Sequence, residues 1–115
     1  MTRGDIWTVD FPLAQGSPGH EQAVSRPAVV VQADSSHGSL PTVTVVPMTG
    51  QLDAARFPRT FRVDPSDANG LTRSTVVLAF QLRAVDSRRL LRRIGALEPH
   101  HLALLEEEMR VLLGM

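Results

Sequence analysis

Apolar residues arrive in this chain in short bursts, and that rhythm limits its fold more than any other feature. Each burst is rich in Val, Ile and Thr and ends in a cluster of Gly, Pro, Asp or Ser, the pattern of short strands joined by turns. Residues 4–11 set Ile6 and Val9 among polar neighbours, with Trp7 as the large apolar body, and read as a first strand. Residues 12–25 hold two prolines, two glycines, two serines and two glutamines, which predicts a long loop. Pro27 suits the entry of a strand, and Ala28-Val29-Val30-Val31 reads as one buried on both faces. Thr42 to Val46 is a third strand, closed by Pro47, and residues 49–58 read as a loop. Thr60 to Val63, Ser74 to Ala79 and Gln81 to Val85 supply the later strands, the last two being one long strand or two consecutive ones.

After Asp86 the period changes. Asp86 suits the N-cap of a short turn over Ser87 to Leu90, and Ile94 to Leu97 returns to the sheet. Pro99 then fits the first position of a helix whose Leu102, Leu105, Met109 and Leu112 follow spacings of three, four and three. Gly114 supplies its stop. The expected fold is mainly β with α: a small β-barrel with one C-terminal amphipathic helix packed on it. A length of 115 residues fits a single domain over 1–115, and no repeat or linker interrupts it.

Charge first speaks against a polyanion partner, because 12 arginines meet 12 acids and the formal net charge is zero. The balance is local, however. Residues 1–55 carry −3, residues 56–93 carry nine arginines against three acids for +6, and residues 94–115 carry −3. Every basic residue is arginine, whose planar fork matches phosphate oxygens in pairs; GC-rich coding would also produce a chain free of lysine. The absence of cysteine rules out disulfides, thiol catalysis and thiolate metal sites. No signal-peptide pattern opens the chain and no run approaches the roughly 20 apolar residues of a membrane span, so a cytoplasmic domain is expected.

Enzyme signatures of the phosphate-loop and H-x-x-x-H kinds are missing. Of the four histidines, His100 and His101 are adjacent near a helix start, where neighbours point about 100° apart; they are expected to be solvated and unable to chelate together. His37 sits in a Ser/Gly turn and is expected to be exposed. His20 lies in the polar cluster Gly19-His20-Glu21-Gln22. Arg26 stands at a loop base ahead of Pro27, which holds its backbone extended, so it either faces a phosphate or pairs with an N-terminal acid. Thr49, after the third strand, carries a hydroxyl able to donate to an oxyanion or to serve the structure.

These stretches also resemble a family. Residues 1–11 (MTRGDIWTVDF), Gly19-His20-Glu21-Gln22 and residues 25–31 (SRPAVVV) are similar to the N-terminal half of the MazF/PemK toxins. Val46-Pro47-Met48-Thr49, and residues 74–86 (STVVLAFQLRAVD) with Arg89-Leu90, resemble its later blocks, collinearly over nearly the whole chain. The resemblance implies an SH3-like barrel of the CcdB/PemK type, a homodimer, and a sequence-specific endoribonuclease toxin of a toxin–antitoxin module. It implies cleavage of single-stranded RNA (mRNA) without metal or other cofactor, by attack of the 2′-hydroxyl on the adjacent phosphate. By the same resemblance Arg26, Thr49 and His20 are catalytic. Gly19, Glu21, Gln22, Met48, Phe80 and Gln81 contact substrate. Phe80 departs from the family, which commonly has an acid there; it offers either a stacking surface for a base or an apolar group for core or dimer interface. The implied partner is a MazE-like antitoxin whose acidic tail would meet the +6 segment, with Arg88 and Arg89 steering it. The alternative is a CcdB-like toxin that binds DNA gyrase and has no catalysis.

Overall fold

The computed structural model describes residues 1–11, 24–34 and 38–115, and its strands and helix follow the expected order. The strands are β1 (Asp5–Phe11), β2 (Val24–Val30), β3 (Thr42–Thr49), β4 (Thr60–Val63), β5 (Thr75–Leu78), β6 (Arg83–Asp86) and β7 (Leu90–Ala96). The helix α1 runs Pro99–Leu113. Tight 3-10 turns cover Leu52–Arg56, Ala79–Gln81 and Ser87–Arg89. The sheet has seven strands in the order β4-β5-β3-β2-β1-β7, and β6 pairs with β3 as well.

β3 organises this arrangement by changing neighbours along its length. Its first half, Thr42 to Val45, pairs with β6, and its last residues, Met48 and Thr49, pair with β5. Pro47 pairs with Ala28 of β2, and on its other side it falls at the changeover from β6 to β5, where no strand residue faces it to require its missing N–H. The strand therefore runs through Pro47 to Thr49 instead of ending at Val46. β7 is also longer than the expected Ile94 to Leu97, because Leu90, Arg92 and Arg93 pair with β1 through two register shifts.

The expected barrel is not closed: β4 and β7 end the strand order without pairing to each other. The segment between β4 and β5 takes the closing position instead. Ala96 N–H donates to Ala68 O at 2.9 Å, and Gly70, at φ 68°, lies so close that a Cβ there would meet Ile94 O at 1.8 Å. Asn69 is fully buried and ties this segment down. Its Oδ1 accepts from Ser66 N and Leu71 N, and its Nδ2 donates to Asp64 O and Glu98 Oε1. An amide with all of its capacity used fixes the loop in one shape.

Alternation along the strands divides the interior in two. Ile6, Val29, Val46, Met48, Val77, Leu97 and Leu105 form one cluster with the helix, and Leu102 and Met109 pack against it. Val9, Phe11, Ala28, Val30, Val43, Val45 and Val85 form the other. The helix follows its predicted limits, with Pro99 in its first turn and Gly114 left-handed at φ 71°. Gly114 N–H and Met115 N–H return to Val111 O and Arg110 O, closing the helix end. Leu112, however, is exposed, together with Val111, Leu113 and Met115. No helix is long and apolar enough to cross a membrane among the described residues.

Candidate active site

Arg26 lies in β2 opposite Val9 of β1, with Pro27 next in the chain, so its backbone belongs to the sheet while its side chain is exposed. Thr49 ends β3 and pairs with Val76 of β5. Its Oγ1 accepts the Gln51 N–H at 3.1 Å, which occupies a lone pair and leaves the hydroxyl proton to be donated. The 3-10 turn after β5 presents Phe80 and Gln81. These four residues, from three separate stretches of sequence, line one cleft of about 200 Å³.

Phe80 is 36% exposed, so it is a wall of the cleft and not a core residue. Its ring meets Phe57 at a centroid distance of 5.4 Å and a tilt of 54°. The Arg56 guanidinium covers the Phe57 ring at 4.4 Å while holding Asp53 at 3.1 Å. Phe57 and Arg56 escaped the sequence reading, which treated residues 49–58 as a plain loop. The available signal was an aromatic residue before Pro58 in a polar stretch, with Asp53 and Arg56 spaced to pair.

Met48 does not fit the expected substrate contact. Its side chain is 0% exposed and belongs to the core cluster under the helix, because β3 turns Met48 inward and Thr49 outward. Gly19, His20, Glu21 and Gln22 lie outside the described residues, as does His37. Among the described lining residues the cleft has no histidine, and its carboxylate, Asp53, is engaged by Arg56.

The +6 segment does not form a basic face. Six of its nine arginines are matched to carboxylates: Arg56 to Asp53, Arg59 to Glu108, Arg62 to Asp64, Arg88 to Asp86, Arg89 to Asp10 and Arg93 to Asp5. Four of these partners, Asp5, Asp10, Asp53 and Glu108, come from the segments counted as acidic, so folding cancels charges that the sequence keeps apart. The Ser74 hydroxyl and the Arg62 guanidinium hold the Asp64 carboxyl below the usual range. Arg88, through its side chain and its N–H, holds Asp86 far below it, and Asp86 raises Arg88 in return. Arg88 thus stands in an exposed ion pair with Asp86 at 2.8 Å. By contrast, Arg26 has no carboxylate partner among the described residues, since Asp5 and Asp10 are taken by Arg93 and Arg89.

His101 is not solvated as expected. Its ring stacks on Phe61 at 5.9 Å, and its Nδ1 is buried 3.5 Å from Glu98 Oε2. The His100 and His101 rings lie only 4.1 Å apart. Glu98, His100 and His101 can bring one ligand atom each within 4.8 Å of one another. The expected inability of the two histidines to converge is corrected by Glu98, which precedes the helix in an extended conformation and turns its carboxylate back to them. None of the three lines the cleft.

Solved structures carry the same architecture. A chain of the MazE–MazF crystal structure from Deinococcus radiodurans is 28% identical with a TM-score of 0.76, covering 100% of this chain and 96% of that one. A mycobacterial endoribonuclease solved with its cognate antitoxin has a TM-score of 0.75 at 19% identity, covering 100% and 96%, a likeness in fold alone. The class is thus that of the small toxins built on an antiparallel sheet with a C-terminal helix. The chain belongs to the PemK-like, MazF-like toxin family of type II toxin–antitoxin systems, whose model matches residues 2–113. The endoribonuclease MazF of Staphylococcus saprophyticus is 30% identical over 115 residues, covering 100% of this chain and 92% of the relative.

Proposed function

We propose that this chain cleaves single-stranded RNA, mRNA in particular, in the cleft that holds Arg26, Thr49, Phe80 and Gln81. The convergence of these residues in one solvent-open cleft is the observation that carries this reading. The 2′-hydroxyl loses its proton and attacks the adjacent phosphorus. The P–O5′ bond breaks, the 5′-oxygen takes a proton, and the products end in a 2′,3′-cyclic phosphate and a 5′-hydroxyl. The nucleophile comes from the RNA, so the reaction requires neither metal nor cofactor.

Charge builds on the nonbridging oxygens of the phosphorane, and a preorganised donor there lowers the barrier most. Arg26 has the charge for that task and, among the described residues, no carboxylate partner to compete for it. Thr49 adds a hydroxyl donor already oriented by Gln51. An arginine stays protonated and does not accept the proton of the 2′-hydroxyl, which leaves proton transfer to His20. Phe80 and Phe57 form a surface on which a base stacks, and Gln81 reads a base edge. Gly19, Glu21 and Gln22, from the same segment as His20, complete the substrate contacts.

The protein acts as a homodimer in the cytoplasm and is silenced by a MazE-like antitoxin whose acidic tail competes with RNA. Purified protein incubated with a long RNA in EDTA tests the reading. Discrete fragments with 5′-hydroxyl ends support it; intact RNA with arrest of DNA gyrase overturns it in favour of the CcdB-like alternative.

A further inference from the structure

A second cleft, of about 250 Å³, opens beside the first and is lined by Thr8, Pro27, Gly50, Arg73, Thr75 and Arg92 among others. We propose that it binds a backbone phosphate of the RNA, one that flanks the phosphate being cleaved. The proposal rests on the endoribonuclease reading above and assigns to it a second point of contact.

Charge carries the inference first. Among the described residues, eight of the twelve arginines are matched to carboxylates, six in the central segment and Arg3 and Arg110 outside it. The four without a carboxylate partner among those residues are Arg26, Arg73, Arg83 and Arg92. The Arg83 guanidinium stands over the Phe11 ring at 5.3 Å. The other three divide between the two clefts, Arg26 in the first and Arg73 with Arg92 in the second. No carboxylate lines the second cleft among the described residues. Two guanidinium groups facing one solvent-open space without a counter-charge form a site for an anion, and their paired N–H donors suit phosphate oxygens.

The backbone is built to seat them. Thr8 of β1 has Pro27 opposite it on β2 and Arg92 opposite it on β7, so the three form a row across the sheet. Gly50 has no left-handed φ to explain it. A Cβ there would stand 2.5 Å from Cζ, Nε and Nη2 of Arg73, so the bare glycine is the seat of that guanidinium. Thr75, only 3% exposed, has an Oγ1 without a hydrogen-bond partner at the same cleft. The buried Asn69 clamp holds the segment that leads to Arg73.

Contiguity identifies the anion. Arg26 and Thr49 line the first cleft while their chain neighbours, Pro27 and Gly50, line the second. The clefts therefore adjoin across the middle of β2 and the end of β3, and an RNA strand leaving the first passes into the second. A phosphodiester of the same strand is the anion that this geometry brings there.

The test compares Arg73→Ala, Arg92→Ala and Gly50→Ala with the natural protein on an RNA series lengthened one nucleotide at a time. Gly50→Ala keeps Arg73 but displaces its guanidinium, and a thermal melt verifies that each variant folds. We expect KM to rise about tenfold on long RNA with kcat held, the signature of lost binding shared by ground and transition states. The salt slope of RNA binding should fall by about 0.7 per arginine removed. The penalty should vanish on oligonucleotides too short to reach the second cleft. Unchanged KM and salt slope in all three variants, with cleavage intact, would overturn the subsite and leave the endoribonuclease reading standing. A loss of antitoxin affinity alone would overturn it in favour of a protein-docking role, and rescue of KM by inorganic phosphate would identify an ordinary anion site in its place. Absence of RNA cleavage by the natural protein would instead remove the reading on which the subsite depends.

Discussion

Replacing Phe80 by alanine separates the two roles that a phenylalanine can play at this position. A fully buried phenylalanine truncated to alanine costs about 3–5 kcal/mol of stability. Phe80 is already 36% exposed, and its described aromatic partner is Phe57 at 5.4 Å. A tilted aromatic pair contributes about 0.5–1.5 kcal/mol beyond the area term, so the variant, with part of its ring already in water, should lose about 2 kcal/mol in a urea melt, less than a fully buried ring. Stacking on a base contributes about 1–3 kcal/mol, so RNA affinity should fall roughly 5- to 150-fold. Affinity is measured with an RNA carrying a 2′-deoxy sugar at the cleavage position, which removes the nucleophile and isolates binding. Phe57→Ala should weaken binding by less, because in the stacked arrangement its other face is covered by Arg56. The double variant should lose less stability than the sum of the two. A stability loss above about 3 kcal/mol with unchanged RNA affinity would refute the platform and return Phe80 to the apolar framework.

Arg26→Ala should lower kcat at least about 100-fold with little change in the thermal midpoint, because the side chain is exposed and has no carboxylate partner among the described residues; near-normal cleavage would remove Arg26 from the chemistry. Asn69→Ala should cost about 3 kcal/mol in denaturant melts, since Ser66 N, Leu71 N and Asp64 O lose their partners together, and the slackened loop should also raise KM through Arg73. Acid should destabilise the fold through Asp64 and Asp86, whose folded carboxyls sit below their ordinary range. Groups depressed in this way stabilise above the unfolded value of roughly 4, and the contribution is lost as pH falls through the folded value. On this account the thermal midpoint is flat from pH 8 to about 5 and declines below about 4, and Asp86→Asn reduces that acid-dependent fall.

The succession of strands along the chain, the helix and its two ends were legible because local chemistry decides them. Pro99 and Gly114 mark the helix limits, and the Val-rich runs mark strands with two buried faces. What escaped was set at a distance. Pro47 stays inside β3 only because two different strands share one side of it, which no local signal announces. The sheet stays open because a loop clamped by Asn69 takes the closing place. Arg26 and Thr49 were visible through their motif settings and Gln81 through resemblance. Phe57 was not, since a residue in an irregular loop acquires meaning only when Phe80 arrives beside it.

The same distance effect explains how a neutral chain handles a polyanion. Counting by segment moves all nine central arginines into one basic block, yet Glu108, Asp10 and Asp5 reach across the fold to neutralise three of them. Pairing at exposed sites adds little stability, so its main consequence here is subtraction: among the described residues it neutralises eight arginines and leaves Arg83 over the Phe11 ring and three that line a cleft. Among the described residues, Arg26 of β2, Arg92 of β7 and Arg73, just before β5, remain as cleft-lining cations. A polyanion then meets a few fixed contacts in place of a diffuse positive field. Such a surface favours register over indiscriminate affinity, because a strand gains its full attraction only when its phosphates match the spacing of the two clefts.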